Sequence, residues 1–153
     1  RRAVQTATHV ADYLDLPINL ESGIVEWLNP KWYDYTTWRQ PIAERLEEFP
    51  RINPKYKSLV EPQYPEHHES IPWARGTYVA RYLAHSHDKP ILLVSHGVIV
   101  LTLAEALAGV RKGVSDQTCA ISHFEGSGYE WKMLSSSTAH LDKELEDESV
   151  DFV

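Results

Sequence analysis

The chain has 153 residues, 42% hydrophobic and 24% charged, which suits one domain of about 100–200 residues and excludes a wholly disordered chain. Its longest apolar run, around Val98 to Leu101, is broken by Thr102 and Glu105, far short of the roughly 20 residues a membrane span needs. The net charge of −7 is concentrated in residues 142–153, which hold six acids and one base and leave −2 for residues 1–141, so no basic stripe for direct nucleic-acid binding is visible.

The single cysteine, Cys119, cannot form an internal disulfide, and the N-terminus carries no signal-peptide pattern. An intracellular location, cytoplasmic or nuclear, is therefore expected. Residues 1–141 read as one domain and 142–153 as an acidic tail.

In chain order, residues 2–14 predict a helix, with Val4, Ala7, Ala11 and Leu14 on one face and Pro17 beyond its end. Ile18 to Leu20 is a short strand candidate closed by Ser22-Gly23. From Trp27 to Trp38 the chain holds three of its five tryptophans with Tyr33 and Tyr35. That stretch fits neither period and reads as a packed aromatic loop, either a core filler or a platform for a flat substrate group. Arg39 to Phe49 predicts a helix with Pro41 near its start and Ile42, Leu46 and Phe49 on one face.

Residues 50–65, with Pro50, Pro54, Pro62 and Pro65, predict a loop. A helix starts near Ser70 as N-cap, with Pro72 in its first turn. Its expected face is Trp73, Thr77, Ala80, Leu83 and Ala84, and it ends before Asp88-Lys89-Pro90. Ile91-Leu92-Leu93-Val94-Ser95 then reads as a continuous apolar strand, the pattern of a sheet covered on both faces. His96-Gly97 follows, then a helix from Val98 to Ala108 capped by Gly109. Thr118 to Phe124 and Tyr129 to Ser135 predict a hairpin across Gly126-Ser127-Gly128. This order predicts an α/β fold with a mostly parallel central sheet and ligands at the strand C-termini.

His96 stands between a strand and a helix N-terminus, where free N–H groups and the helix dipole favour an anion. It is either a ligand to such an anion or a satisfied turn residue. Arg2 opens the first helix beside Gln5-Thr6, where a guanidinium either grips a phosphate or carboxylate or is simply solvated. Glu26, between Val25 and Trp27, is a surface glutamate or a general acid whose pKa desolvation raises. His67-His68-Glu69 and His85-Ser86-His87 are rich in ligand types but lack convergent spacing, so no metal is expected. Cys119 reads as a buried, inert mid-strand thiol.

Arg2-Ala3-Val4-Gln5-Thr6-Ala7, Gly23-Ile24-Val25-Glu26-Trp27 and Leu93-Val94-Ser95-His96-Gly97 resemble, in family order, three segments of the histidine phosphatase (phosphoglycerate mutase-like) superfamily. The second segment is most similar to the branch of ecdysteroid-phosphate and T-cell-signalling phosphatases. The resemblance implies a three-layer helix–sheet–helix fold in which Arg2 holds a phosphoryl group, His96 donates a hydrogen bond to it and Glu26 protonates the leaving oxygen, without a cofactor. It implies as substrate a phosphorylated small molecule or phosphoprotein, hydrolysed through a phosphohistidine. The family's nucleophile lies in an Arg-His-Gly motif after its first strand, and no Arg-His dipeptide occurs in this chain. The chain is therefore expected to be an N-terminally incomplete domain, inactive alone. Thr118 to Ser122, Trp131 and Ser137 to Leu141 loosely resemble the closing hairpin of a fungal branch that includes a phosphatase-like subunit of transcription factor IIIC. A non-catalytic interaction module, meeting a protein partner or a second copy of itself, is the alternative.

Overall fold

The computed structural model describes residues 1–32, 34 and 42–141. Helix α1 (Arg2–Leu14) ends where Asp15 adopts a left-handed conformation (φ 54°). A 3-10 turn covers Ser22–Ile24, α2 is Ile42–Glu48, α3 is Ser70–Ser86 and α4 is Gly97–Ala108. Strands β1 (Ile121–Ser127) and β2 (Glu130–Ser137) close the order. Tyr33, Tyr35, Trp38 and Pro41 of the expected aromatic loop and helix start, and the acidic tail at 142–153, lie outside the described residues.

The expected α1, α3 and α4 form nearly within their expected bounds, because each carries a 3.6-residue apolar pattern and a stop signal. Gly109, at φ 67°, caps α4 by donating its N–H to the Glu105 carbonyl at 2.9 Å. Ser70 is the first helical residue rather than the cap; the His68 Nδ1 lies 3.2 Å from its N–H. Leu14, expected on the packed face of α1, is half exposed.

The core is built where α3 crosses α4: Val79 and Ala80 pack on Ile99 and Leu103, with Ile24 from the 3-10 turn. The crossing is close at Gly76, where an added Cβ would meet Thr102 Cγ2 at 2.9 Å. Here the predicted face of α3 needs correction. Of the expected residues, Ala80 is buried and Leu83 packs on the core, but Trp73, Thr77 and Ala84 are only partly covered, and Pro72, Arg75, Gly76 and Val79 complete the buried face. A hydrophobic count overlooks Arg75, and Trp73 turns aside to carry Arg111 4.1 Å above its ring.

The hairpin is antiparallel, with an irregularity between His123 and Phe124. Its turn is Gly128-Tyr129, between paired Ser127 and Glu130, and the positive φ of 56° at Gly128 explains the glycine. Gly126 belongs to β1. Cys119 precedes the strand in a turn at φ 61° and is exposed, not buried as expected. The Ile18 to Leu20 candidate reduces to one parallel bridge, Ile18 to Ile52.

The largest departure concerns the expected parallel sheet. Among the described residues the only sheet is the two-stranded hairpin. Ile91 to Ser95 carries no strand pairing, and none of the Ile91–Val94 backbone groups makes a hydrogen bond among the described residues. An apolar run states that a segment is to be covered; a strand also needs a neighbour to accept its ladder. Leu93 packs on the core, whereas Ile91 and Leu92 are 44% and 62% exposed. Unpaired backbone beside exposed aliphatic side chains is an edge that recruits another chain. Residues 1–153 are therefore expected to self-associate at micromolar concentration in size-exclusion chromatography with light scattering. A monodisperse monomer would refute this.

Candidate phosphate-handling site

Glu26 and His96, 70 positions apart in sequence, meet beside the N-terminus of α4. His96 is the N-cap residue of that helix, in extended conformation (φ −119°, ψ 156°), and its carbonyl accepts the Val100 N–H at 2.8 Å. Its Nδ1 lies 3.1 Å from Glu26 Oε2, and both side chains are mostly buried. The other carboxylate oxygen, Oε1, accepts the Trp27 N–H at 3.0 Å. Gly97 sits at a close approach, since an added Cβ would come to 3.0 Å from the Asp116 carbonyl oxygen. Arg2, exposed at the first position of α1, lies near enough for its charge to act on the Glu26 carboxylate. The structure thus brings Glu26 and His96 into contact, whereas Arg2 acts on Glu26 only through its charge, the weakest of the influences on that carboxyl.

Two further residues bond to the backbone that carries Glu26. Arg75 Nε and Nη2 donate to the two oxygens of Glu66 at 2.7 and 2.9 Å, a bidentate pair with side chains only 4% and 0% exposed. Nη1 donates to the carbonyls of Gly23 (2.9 Å) and Val25 (2.6 Å), and Nη2 also donates to that of Glu26 (2.9 Å). All five guanidinium N–H groups are used. Glu66 in turn accepts the Leu28 N–H at 2.9 Å, and its own carbonyl accepts Trp27 Nε1–H at 2.8 Å. Sequence reading passed over both residues. The available signal was a charge at position 75 framed by Pro72, Gly76 and Val79 at helical spacing, which places it on a buried face.

A family model, the histidine phosphatase superfamily (branch 1), matches residues 1–138. The chain belongs to this superfamily. Comparison with curated proteins gives no match.

In this histidine phosphatase domain the electrostatics of Glu26 differ from the expectation. Burial, the largest single influence, pushes its carboxyl up. The hydrogen bond and charge of His96, the Trp27 N–H and the charge of Arg2 together outweigh it and hold the group below the ordinary carboxylate value. Apolar sequence neighbours could not reveal a cation arriving from residue 96. A carboxyl depressed in the folded state contributes stability above its unfolded value of about 4.3, and that contribution is lost as pH falls through the lower folded value. The melting-temperature difference between wild type and Glu26→Gln should therefore be present near pH 6 and shrink as pH falls below the ordinary carboxylate value. A difference that does not change with pH across the acid range would contradict the ionised carboxylate.

Among the described residues, no three His, Cys, Asp or Glu side chains group to hold a metal ion. His68 Nδ1 contacts Ser70 Oγ at 2.9 Å, and His85 Nδ1 lies 2.7 Å from the Arg81 carbonyl. Among the described residues, no helix is long and apolar enough to cross a membrane.

Proposed function

We propose that this phosphatase-like domain serves phosphomonoester hydrolysis through a phosphohistidine intermediate, in a protein that supplies the nucleophilic histidine upstream of Arg2. The observation that carries the reading is the Glu26–His96 contact at the N-terminus of α4. A helix N-terminus and an arginine suit a dianionic phosphoryl group, and phosphoryl transfer needs chiefly positioning and neutralised charge. In this mechanism Arg2 and His96 hold the transferred oxygens and Glu26 gives its proton to the leaving oxygen. An arriving phosphate dianion supplies the like charge that shifts Glu26 toward its protonated form, so the acid is loaded by substrate. The site needs no cofactor for these steps.

In the same reading, Ile91–Val94 pairs with an upstream strand in a mostly parallel three-layer sheet, and its unpaired backbone supports that assignment. The substrate is a phosphorylated small molecule or phosphoprotein, and the setting is intracellular. The test is a protein extended upstream to include Arg-His-Gly, assayed with an aryl phosphate beside residues 1–153. Turnover and a trapped phosphohistidine are expected only from the extended protein, which is also expected to be monodisperse. The sequence favours one second reading: it holds no Arg-His dipeptide. If the extended protein is folded yet inert, a scaffold module that kept the phosphatase fold, such as a transcription factor IIIC-type subunit, replaces the enzyme.

A further inference from the structure

Four consecutive backbone carbonyls around the candidate acid are all taken by side-chain donors. Gly23, Val25 and Glu26 give theirs to Arg75, while Ile24 gives its carbonyl to Ser95 Oγ at 2.6 Å. Beyond the 3-10 turn this segment has no regular element, so neither helix nor ladder fixes its φ and ψ. Side chains do that work. Ser95 is adjacent to His96, so the same fastening that sets residues 23–26 also sets the partner of Glu26.

We infer that Arg75, neutralised by Glu66, is a positioning residue that holds the Glu26 carboxyl against His96 by gripping the carbonyls of Gly23, Val25 and Glu26. Its planar fork spans all three carbonyls and the carboxylate at once. A lysine ammonium, a point donor of three protons, cannot do so. This assignment deepens the general-acid reading of Glu26 and rests on it. The charged groups facing Glu26 are His96 and Arg2. The Arg75–Glu66 pair lies behind its backbone, and Asp116 lies against Gly97.

The test uses the upstream-extended protein, the form expected to be monodisperse, and needs no turnover. The Glu26 carboxyl carbon and the His96 ring are titrated by NMR in wild type, in Arg75→Lys and in Arg75→Met/Glu66→Met. The paired variant removes both buried charges, so it avoids leaving either one uncompensated. Exposed His9 on α1 serves as reference. In both variants the Glu26 midpoint is expected to rise toward the ordinary value of about 4.3. His96 should lose its response to Glu26, and His9 should be unmoved. A purely structural Arg75 would lower the melting temperature and leave both titrations unchanged, and that result overturns the inference. Failure of both variants to fold also overturns it, assigning Arg75 to the core alone.

In the extended protein, Arg75→Lys should lower kcat for an alkyl phosphate about 100-fold, the cost of a misplaced group, with KM little changed. An inert extended wild type would remove the general-acid reading while leaving the NMR result intact, so the two failures are distinguishable.

Discussion

Replacing Arg75 with alanine should cost this chain about 3–5 kcal/mol, the cost of leaving one member of a buried ion pair uncompensated. Glu66 is fully buried, and both of its oxygens accept from Arg75. Without the guanidinium, a carboxylate stays in a dry interior and the carbonyls of Gly23, Val25 and Glu26 lose their donor. A typical domain is stable by only 5–15 kcal/mol, so this one change takes a large part of the total. Urea denaturation of the upstream-extended protein and its variant should show the midpoint falling with little change in slope. Glu66→Ala should fall in the same range, because it strands a guanidinium instead. A cost below about 1 kcal/mol for either would place the pair with surface salt bridges and remove its structural importance.

The second large effect concerns the groups proposed to act on the phosphoryl ester. In the upstream-extended protein, His96→Ala should reduce turnover about 100- to 1000-fold, the usual loss when one donor to the developing charge is removed. Glu26→Gln should behave differently by substrate. An aryl phosphate departs as a stable phenolate and needs little protonation, whereas an alkyl phosphate departs as a strongly basic alkoxide and needs an acid. The variant should therefore lose far more activity on the alkyl ester. Equal losses on both esters would take Glu26 out of the general-acid role and leave it as a partner that orients His96. Residues 1–153 themselves should turn over neither ester, since a covalent mechanism without its nucleophile has no route. They should still bind phosphate or vanadate weakly through His96, Arg2 and the start of α4.

Much of this was legible before any coordinates. Helices α1, α3 and α4 announce themselves through apolar spacing and through stop residues such as Pro17 and Gly109, which act over a few positions. Strands β1 and β2 do so through residues bracketing a glycine turn. His96 could be set at a helix N-terminus because Gly97 and an apolar helix follow it directly, and the order of the three motif segments carried the family. These are local signals, and local sequence is enough for them.

What the sequence could not decide depended on a second segment arriving from far away. The depressed carboxyl of Glu26 comes from His96 and Arg2, distant in sequence, against a burial effect that its apolar neighbours alone suggested. Arg75 reads as an ordinary helical charge until Glu66 and the carbonyls of residues 23–26 surround it. Cys119 reads as strand until the ladder begins two residues later. Ile91–Ser95 reads as strand throughout, yet strand is a property of two segments, and among the described residues no second one pairs with it. The chain's own pattern determined which segments want to be helical or covered. Tertiary structure decided which charges are paired and which backbone groups are satisfied, because hydrogen bonds and ion pairs between distant residues leave no periodic trace in sequence.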